Sequence, residues 1–190
     1  MKVETSLNAV LTSKTRCKLI CLIFGNPHEL FYVRQLVRLS SEEINSVRRE
    51  LNNLQKINLL LSERRANRLY YSANPRHHLF NSLLLLAYRN SDLAQKLDKA
   101  KLFLASFAFL LWQRPRPDSI DLIIVGELPL REVENAIASE EKRRGVEINY
   151  MVMDQEELKL RQNKRDPFIV DFFLSSPLVI IGNPTLLENK

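Results

Sequence analysis

The apolar positions of this chain change period along its length, and each change predicts an element. Over residues 13–24, Leu19, Ile20, Leu22, Ile23 and Phe24 fall in a helical pattern behind a serine suited to cap it, and Gly25-Asn26-Pro27 ends the run. A second helix is predicted over about 32–39, with Leu36 and Leu39 on one face, and Ser40-Ser41 makes a turn. In the third, over about 43–58, Ile44, Val47, Leu51 and Leu54 are spaced three, four and three apart, so one stripe faces inward. The period then shortens. Residues 59–64 (LLLSER) and 68–73 (RLYYSA) predict two strands around a short polar turn.

The second half mixes strand and helix patterns. Residues 75–89 and 91–104 predict helices, and the run Leu83-Leu84-Leu85-Leu86 marks a buried linker or a dimer-forming helix. Residues 103–112 are apolar, Arg114-Pro115-Arg116-Pro117 is a stiff break, and 120–125 (IDLIIV) is a strand pattern ending at Gly126. Residues 130–144 form an amphipathic helix pattern with Val133, Ala136 and Ile137 inward, closed by Gly145. Residues 146–153 (VEINYMVM) predict another strand, and 178–181 (LVII) a short one before Gly182. Strands alternating with a helix argue for a small α/β or α+β domain.

Charge sharpens this outline. The net charge is +6, but residues 1–90 hold 14 Lys/Arg against 6 Asp/Glu, while residues 91–190 hold 14 against 16. A basic half joined to a near-neutral half fits a nucleic-acid module followed by something else, although charge alone leaves ordinary solvated surface open. Placement decides between them. On the third helix Asn45, Arg49, Asn52 and Lys56 cluster opposite the apolar stripe, with Ser46 and Asn53 on one flank and Arg48 on the other. Arg pairs with guanine, Asn with adenine and Lys with phosphate, and base edges meet the N-terminal part of such a helix, which favours Asn45, Ser46 and Arg49. Any surface helix also has an exposed polar face. The hairpin tip adds Arg64, Arg65, Asn67 and Arg68. Arginines so close repel one another, whereas against phosphates they gain charge-assisted hydrogen bonds and release counterions. Positive charge on an edge hairpin also resists aggregation. Helix, turn, helix and basic hairpin together predict binding to double-stranded DNA.

Three segments (SKTRCKLICLIF, FYVRQLVRLSSEEINSVRRELNNLQKINLL and RRANRLYYSANP) carry a resemblance. Residues 10–80 resemble the winged helix-turn-helix regulators of bacteria and archaea, the broad ArsR/MarR-like group. The resemblance implies a recognition helix centred on Val47-Arg48-Arg49-Glu50-Leu51, and a wing around Asn67-Arg68 with Tyr70-Tyr71 on its returning strand. It also implies a homodimer on two-fold DNA sites.

Residues 100–182 are similar to the minimal nucleotidyltransferase domain of the polymerase-β type, through FAFLL, DSIDLIIVGE, the helix after it and VEINYMVM. That family places a Gly-Ser loop on a nucleotide phosphate and an Asp-x-Asp strand on two metals. Here the Gly-Ser position is expected on Trp112-Gln113, where a bulky ring denies phosphate the close backbone approach that glycine allows. Asp121 matches the second metal carboxylate, but the first falls on Ser119, and the adjacent Asp118 points to the opposite face of a strand. Glu147 or Asn149 is expected near the third carboxylate, and of the two only Glu147 binds a cation well. Two-metal phosphoryl transfer needs carboxylates clamping both ions, so the expectation is a retained fold without catalytic residues, metal or cofactor.

The predicted whole is an α+β chain: a winged helix-turn-helix over 1–74, a helical linker suited to dimerisation over 75–100, and a degenerate small α/β nucleotidyltransferase-like domain over 101–190. No apolar run reaches the roughly 18–20 residues of a membrane span, and residues 1–16 lack the pattern of a signal peptide. Cys17 and Cys21 fit a reduced, cytoplasmic protein and share a helix face, which suits core packing, with metal or thiol sensing as the alternative. Residues 161–165 (RQNKR) form a second basic patch, a solvated helix end or a further DNA contact. The expected function is sequence-specific transcription regulation without enzyme activity. The alternative is a DNA-tethered, Mg²⁺-dependent nucleotidyltransferase using Asp121, Glu147 and Asp118.

Overall fold

The computed structural model describes residues 12–114, 116 and 118–187. Residues 1–11, most of the segment read for a signal peptide, and Pro115 and Pro117 of the expected stiff break lie outside them. The architecture is mixed α+β, with two small sheets, and the chain divides into two compact units, 1–91 and 92–190.

The first unit begins with α1 (Lys14–Phe24), whose N-cap Ser13 accepts a hydrogen bond from the Arg16 N–H. Strand β1 (Phe31–Tyr32) leads into α2 (Val33–Ser40), and α3 (Ile44–Lys56) follows a turn in which Ser41 takes a φ of 54°. The hairpin β2 (Leu60–Arg65) and β3 (Arg68–Ala73) completes a three-stranded antiparallel sheet in the order β1-β3-β2. Helix α4 (Phe80–Arg89) packs on α1, where the Phe24 and Phe80 rings lie 5.8 Å apart. Leu19, Ile23, Phe24, Phe31, Leu36, Val47, Leu51, Leu60 and Leu84 are shut off from solvent at the centre of this unit.

The second unit starts with the short α5 (Asp92–Lys96) and then departs from the sequence expectation of a helix through 104. Leu102–Ala105 is β4, an inner strand buried on both faces, and Phe107–Leu110 is the one-turn α6. A continuous apolar run carries no period, so it does not separate a fully buried strand from a helix. Ser106 makes the division, its extended backbone ending the strand and its hydroxyl accepting from the Phe109 N–H at 3.1 Å. Strand β5 (Leu122–Val125) pairs antiparallel with β4 and parallel with β6 (Tyr150–Met153), and α7 (Leu130–Arg144) lies between them in sequence. Gly145 at φ 70° closes α7 in the left-handed conformation. Helices α8 (Gln155–Asn163) and α9 (Pro167–Leu174) precede β7 (Leu178–Gly182), giving the order β6-β5-β4-β7. Leu102, Leu104, Ile123, Val125, Leu158 and Phe172 share its core.

Candidate nucleic-acid interface

Helix α3 is positioned by a buried arc and by charge. Val47, Leu51 and Leu54 are buried as their spacing predicts, and Glu50 is buried with them. Its carboxylate accepts from the Ser13 hydroxyl at 2.8 Å and from Arg16 Nε at 2.9 Å, fastening α3 to the start of α1. Burial alone would raise the Glu50 carboxyl, yet the bonds from Ser13 and Arg16 outweigh it and hold the group below its ordinary value. A second tie joins α1 to the turn, since Lys18 Nζ reaches Glu42 at 2.6 Å and the Ser40 carbonyl at 2.8 Å. Glu50 lies three residues after Val47 and four before Leu54. A charged residue at that spacing was the available sign of a buried partner.

At its N-terminus α3 is shorter than expected. Glu43 is the N-cap rather than the first helical residue, and its carboxylate accepts from the Asn45 and Ser46 N–H groups at 2.8 and 2.9 Å. Those bonds hold the Glu43 carboxyl below its ordinary value. The amides at this helix start therefore already face an anion supplied by the chain itself. Of the side chains singled out in the sequence, Asn45, Arg48, Arg49, Asn52 and Lys56 are exposed and Ser46 is half-buried, all on α3.

The hairpin sorts its arginines by register. Arg65 pairs with Arg68 across a two-residue turn, Ala66-Asn67, with Ala66 at φ 50°. Strand alternation then puts Arg65, Arg68, Glu63, Tyr70 and Tyr32 on one face. Arg64, opposite Leu69, joins the face that carries Tyr71, Leu60 and Ala73 into the core. The sequence groups the three arginines as one tip, whereas the register splits them. Arg65 forms an ion pair with Glu63 on its own face. The Arg68 guanidinium lies 5.0 Å from the centre of the Tyr32 ring, which meets Tyr70 edge-on at 5.9 Å. Asn67 and all three arginines are exposed. An open groove of about 440 Å³ brings Arg48 of α3 together with Asn67 and Arg68 of the hairpin and with Arg34 of α2. Arg34 was not among the residues the sequence pointed to, because nothing local marks it.

In the second unit the residues weighed for catalysis lie apart in their surroundings, one buried and two exposed. Asp121 precedes β5 rather than lying within it, and is buried. Its carboxylate accepts the Asn149 N–H at 3.0 Å, while its own N–H donates to the Asn149 carbonyl at 2.7 Å. Burial, the leading effect, raises this carboxyl above its ordinary value despite that hydrogen bond and the nearby Arg144 charge. Glu147 and Asp118 are exposed. Among the described residues no group of three His, Cys, Asp or Glu side chains is placed to hold a metal ion. Strand β4 ends at Ala105 and Ser106-Phe107 follow it, so Trp112-Gln113, where the Gly-Ser position was expected, lie beyond α6 and not at the end of a strand. Trp112, at φ 56°, instead takes part in a stack: Arg143 and Arg144 each lie 4.5 Å from its ring centre, and Arg144 lies 3.6 Å from that of Phe109. Glu140 accepts from Arg143 at 2.6 and 2.8 Å and from Arg144 at 2.7 Å, and Arg144 also donates to the Phe109 carbonyl at 2.8 Å.

Elsewhere, Cys17 is buried in the first unit, where burial raises its thiol, and Cys21 is half-buried. Arg161, in the second basic patch, bonds to Glu157 and Asp166. Among the described residues no helix is long and apolar enough to cross a membrane. Comparison with known proteins finds no matching family model, no matching curated protein and no matching solved structure.

Proposed function

We propose that this chain is a cytoplasmic, sequence-specific regulator of transcription that binds double-stranded DNA through a winged helix-turn-helix, with α3 as recognition helix and the β2–β3 hairpin as wing. One observation carries the reading. Arg48 of α3 and Asn67 and Arg68 of the hairpin border the same open groove, so the polar face of the helix and the basic hairpin are contiguous. Asn45, Ser46, Arg49 and Asn52 then face base edges in the major groove, and Arg64 on one face of the hairpin and Arg65 and Arg68 on the other hold phosphates or enter the minor groove at the flanks. The ArsR/MarR-like resemblance adds a homodimer on a two-fold site.

The second unit, in this reading, is a nucleotidyltransferase-like domain that has lost its chemistry and serves ligand, partner or dimer contacts. The inward turn of Asp121 onto Asn149 supports the loss, because a carboxylate engaged there does not face a metal.

The test is selection of bound duplexes from a random pool by the purified chain at two salt concentrations. Enrichment of a two-fold symmetric motif is expected. Retention without enrichment, lost steeply with salt, would reduce the protein to a non-specific binder. No retention at low salt would end the DNA reading.

A further inference from the structure

We infer that the groove between α2, α3 and the hairpin is a site for a phosphate group. Three arginines from three separate elements line it: Arg34 from the first turn of α2, Arg48 from α3 and Arg68 from β3. No carboxylate lines it. Among the described residues neither Arg34 nor Arg48 forms an ion pair, although the Arg48 charge acts on the Glu43 carboxylate at the start of α3, and Arg68 leans on the Tyr32 ring. Like charges gathered around one groove repel, and an anion held among them offsets that repulsion. The start of α2 reinforces the field. Tyr32 in its N-cap position supplies no side-chain acceptor, and the first turn carries no acid, in contrast to α3, whose start is filled by Glu43.

Size and walls narrow the ligand. About 440 Å³ exceeds what one phosphodiester fills and lies in the range of small-molecule sites. Val33, Leu69 and the Tyr32 ring give an apolar and aromatic side against which an organic portion packs, and Asn67 offers both a donor and an acceptor beside it. The ligand chemistry is thus a phosphate ester with an attached sugar or ring. Its two sources are the backbone of bound DNA and a free phosphorylated molecule. For the first source the inference rests on the DNA-binding reading; for the second it stands apart from it.

The experiment is calorimetric titration of the full chain with sodium pyrophosphate, with anisotropy of a labelled 20-base-pair duplex run alongside. Wild type is compared with Arg34→Gln and with Arg76→Gln, which removes the same charge from an exposed site outside the groove. Wild type is expected to take one pyrophosphate, Arg34→Gln to bind it about tenfold more weakly, and Arg76→Gln to stay within about twofold. Competition names the source. Pyrophosphate that displaces duplex assigns the groove to the DNA backbone, and pyrophosphate bound beside undisturbed duplex assigns it to a free ligand. If wild type binds pyrophosphate but no duplex, the DNA reading fails and the phosphate site stands. Silence towards pyrophosphate with an Arg34→Gln duplex affinity and salt slope equal to wild type would overturn the site. Equal weakening in Arg34→Gln and Arg76→Gln would do the same, because it would reduce the effect to net charge.

Discussion

Replacing Glu140 by alanine tests the energetics of the stacked cluster in the second unit. The Glu140 and Arg144 side chains are 6% and 3% exposed, so alanine would leave a guanidinium buried without its carboxylate. Breaking a pair that is buried on both sides costs about 3–5 kcal/mol. Two features reduce this figure. Arg143, the other partner, is 40% exposed, so its share is screened, and Arg144 keeps its bond to the Phe109 carbonyl and its contacts with two aromatic rings. The expected loss is about 2–4 kcal/mol, a shift on the order of 10 °C or more in Tm for a unit of this size. Trp112 is the only tryptophan and lies against both arginines, so its fluorescence during urea unfolding reads this unit. Adding Arg144→Met to Glu140→Ala removes the stranded charge and should restore about half of the loss or more. A Glu140→Ala loss below about 1 kcal/mol would refute the argument, as would a double variant showing the simple sum of the two single effects.

Four further outcomes are expected. Arg49→Ala should cost about 1–3 kcal/mol on a selected site and relax one base preference, measured by anisotropy on single-base variants; equal losses on random duplex would remove Arg49 from base readout. Glu63→Gln frees Arg65 from its ion pair and should steepen the dependence of duplex affinity on salt, whereas Arg65→Ala should flatten it by about one phosphate; a Glu63→Gln slope equal to wild type would mean Arg65 makes no phosphate contact. Glu50 is held below its unfolded value, so it stabilises the first unit above that value and the contribution fades as pH falls through the lowered one. Acid unfolding followed by circular dichroism should be less steep in Glu50→Gln, and an unchanged curve would discount the Ser13 and Arg16 bonds. Asp121 has the opposite sign: its raised carboxyl contributes below its unfolded value and loses that contribution as pH rises through the raised one, so Asp121→Asn should gain stability relative to wild type across that window. A loss there would mean the ionised carboxylate is the form the fold needs.

What the sequence allowed to be read follows from how local each signal is. The inward arc of α3 was legible because Val47, Leu51 and Leu54 repeat at the helical period. The hairpin was legible because two short β-patterned runs flank a polar turn. Strand β4 was not, since a fully apolar stretch has no period, and Ser106, whose hydroxyl accepts from the Phe109 N–H, is what divides it from α6. For the interface, the exposed face of α3 could be drawn on a helical wheel, but the opposite facing of Arg64 and Arg65 depends on the pairing register. The groove is less local still. Arg34 belongs to it through the meeting of three elements, which composition and spacing within any one of them do not encode.

The two-residue turn of the hairpin also governs how its length can vary. With Arg65 opposite Arg68, each position is assigned to one face by counting outward from Ala66-Asn67. One residue inserted within β3 between Arg68 and Tyr71, with the core end of the strand held in place, would exchange the rows beyond it and turn Arg68 away from Tyr32. Two inserted residues, one in each strand, would lengthen the hairpin by a rung and leave every pair in the core intact. Among descendants of this chain, changes of hairpin length should therefore come in matched pairs, and an odd change should come with a bulge that restores the count.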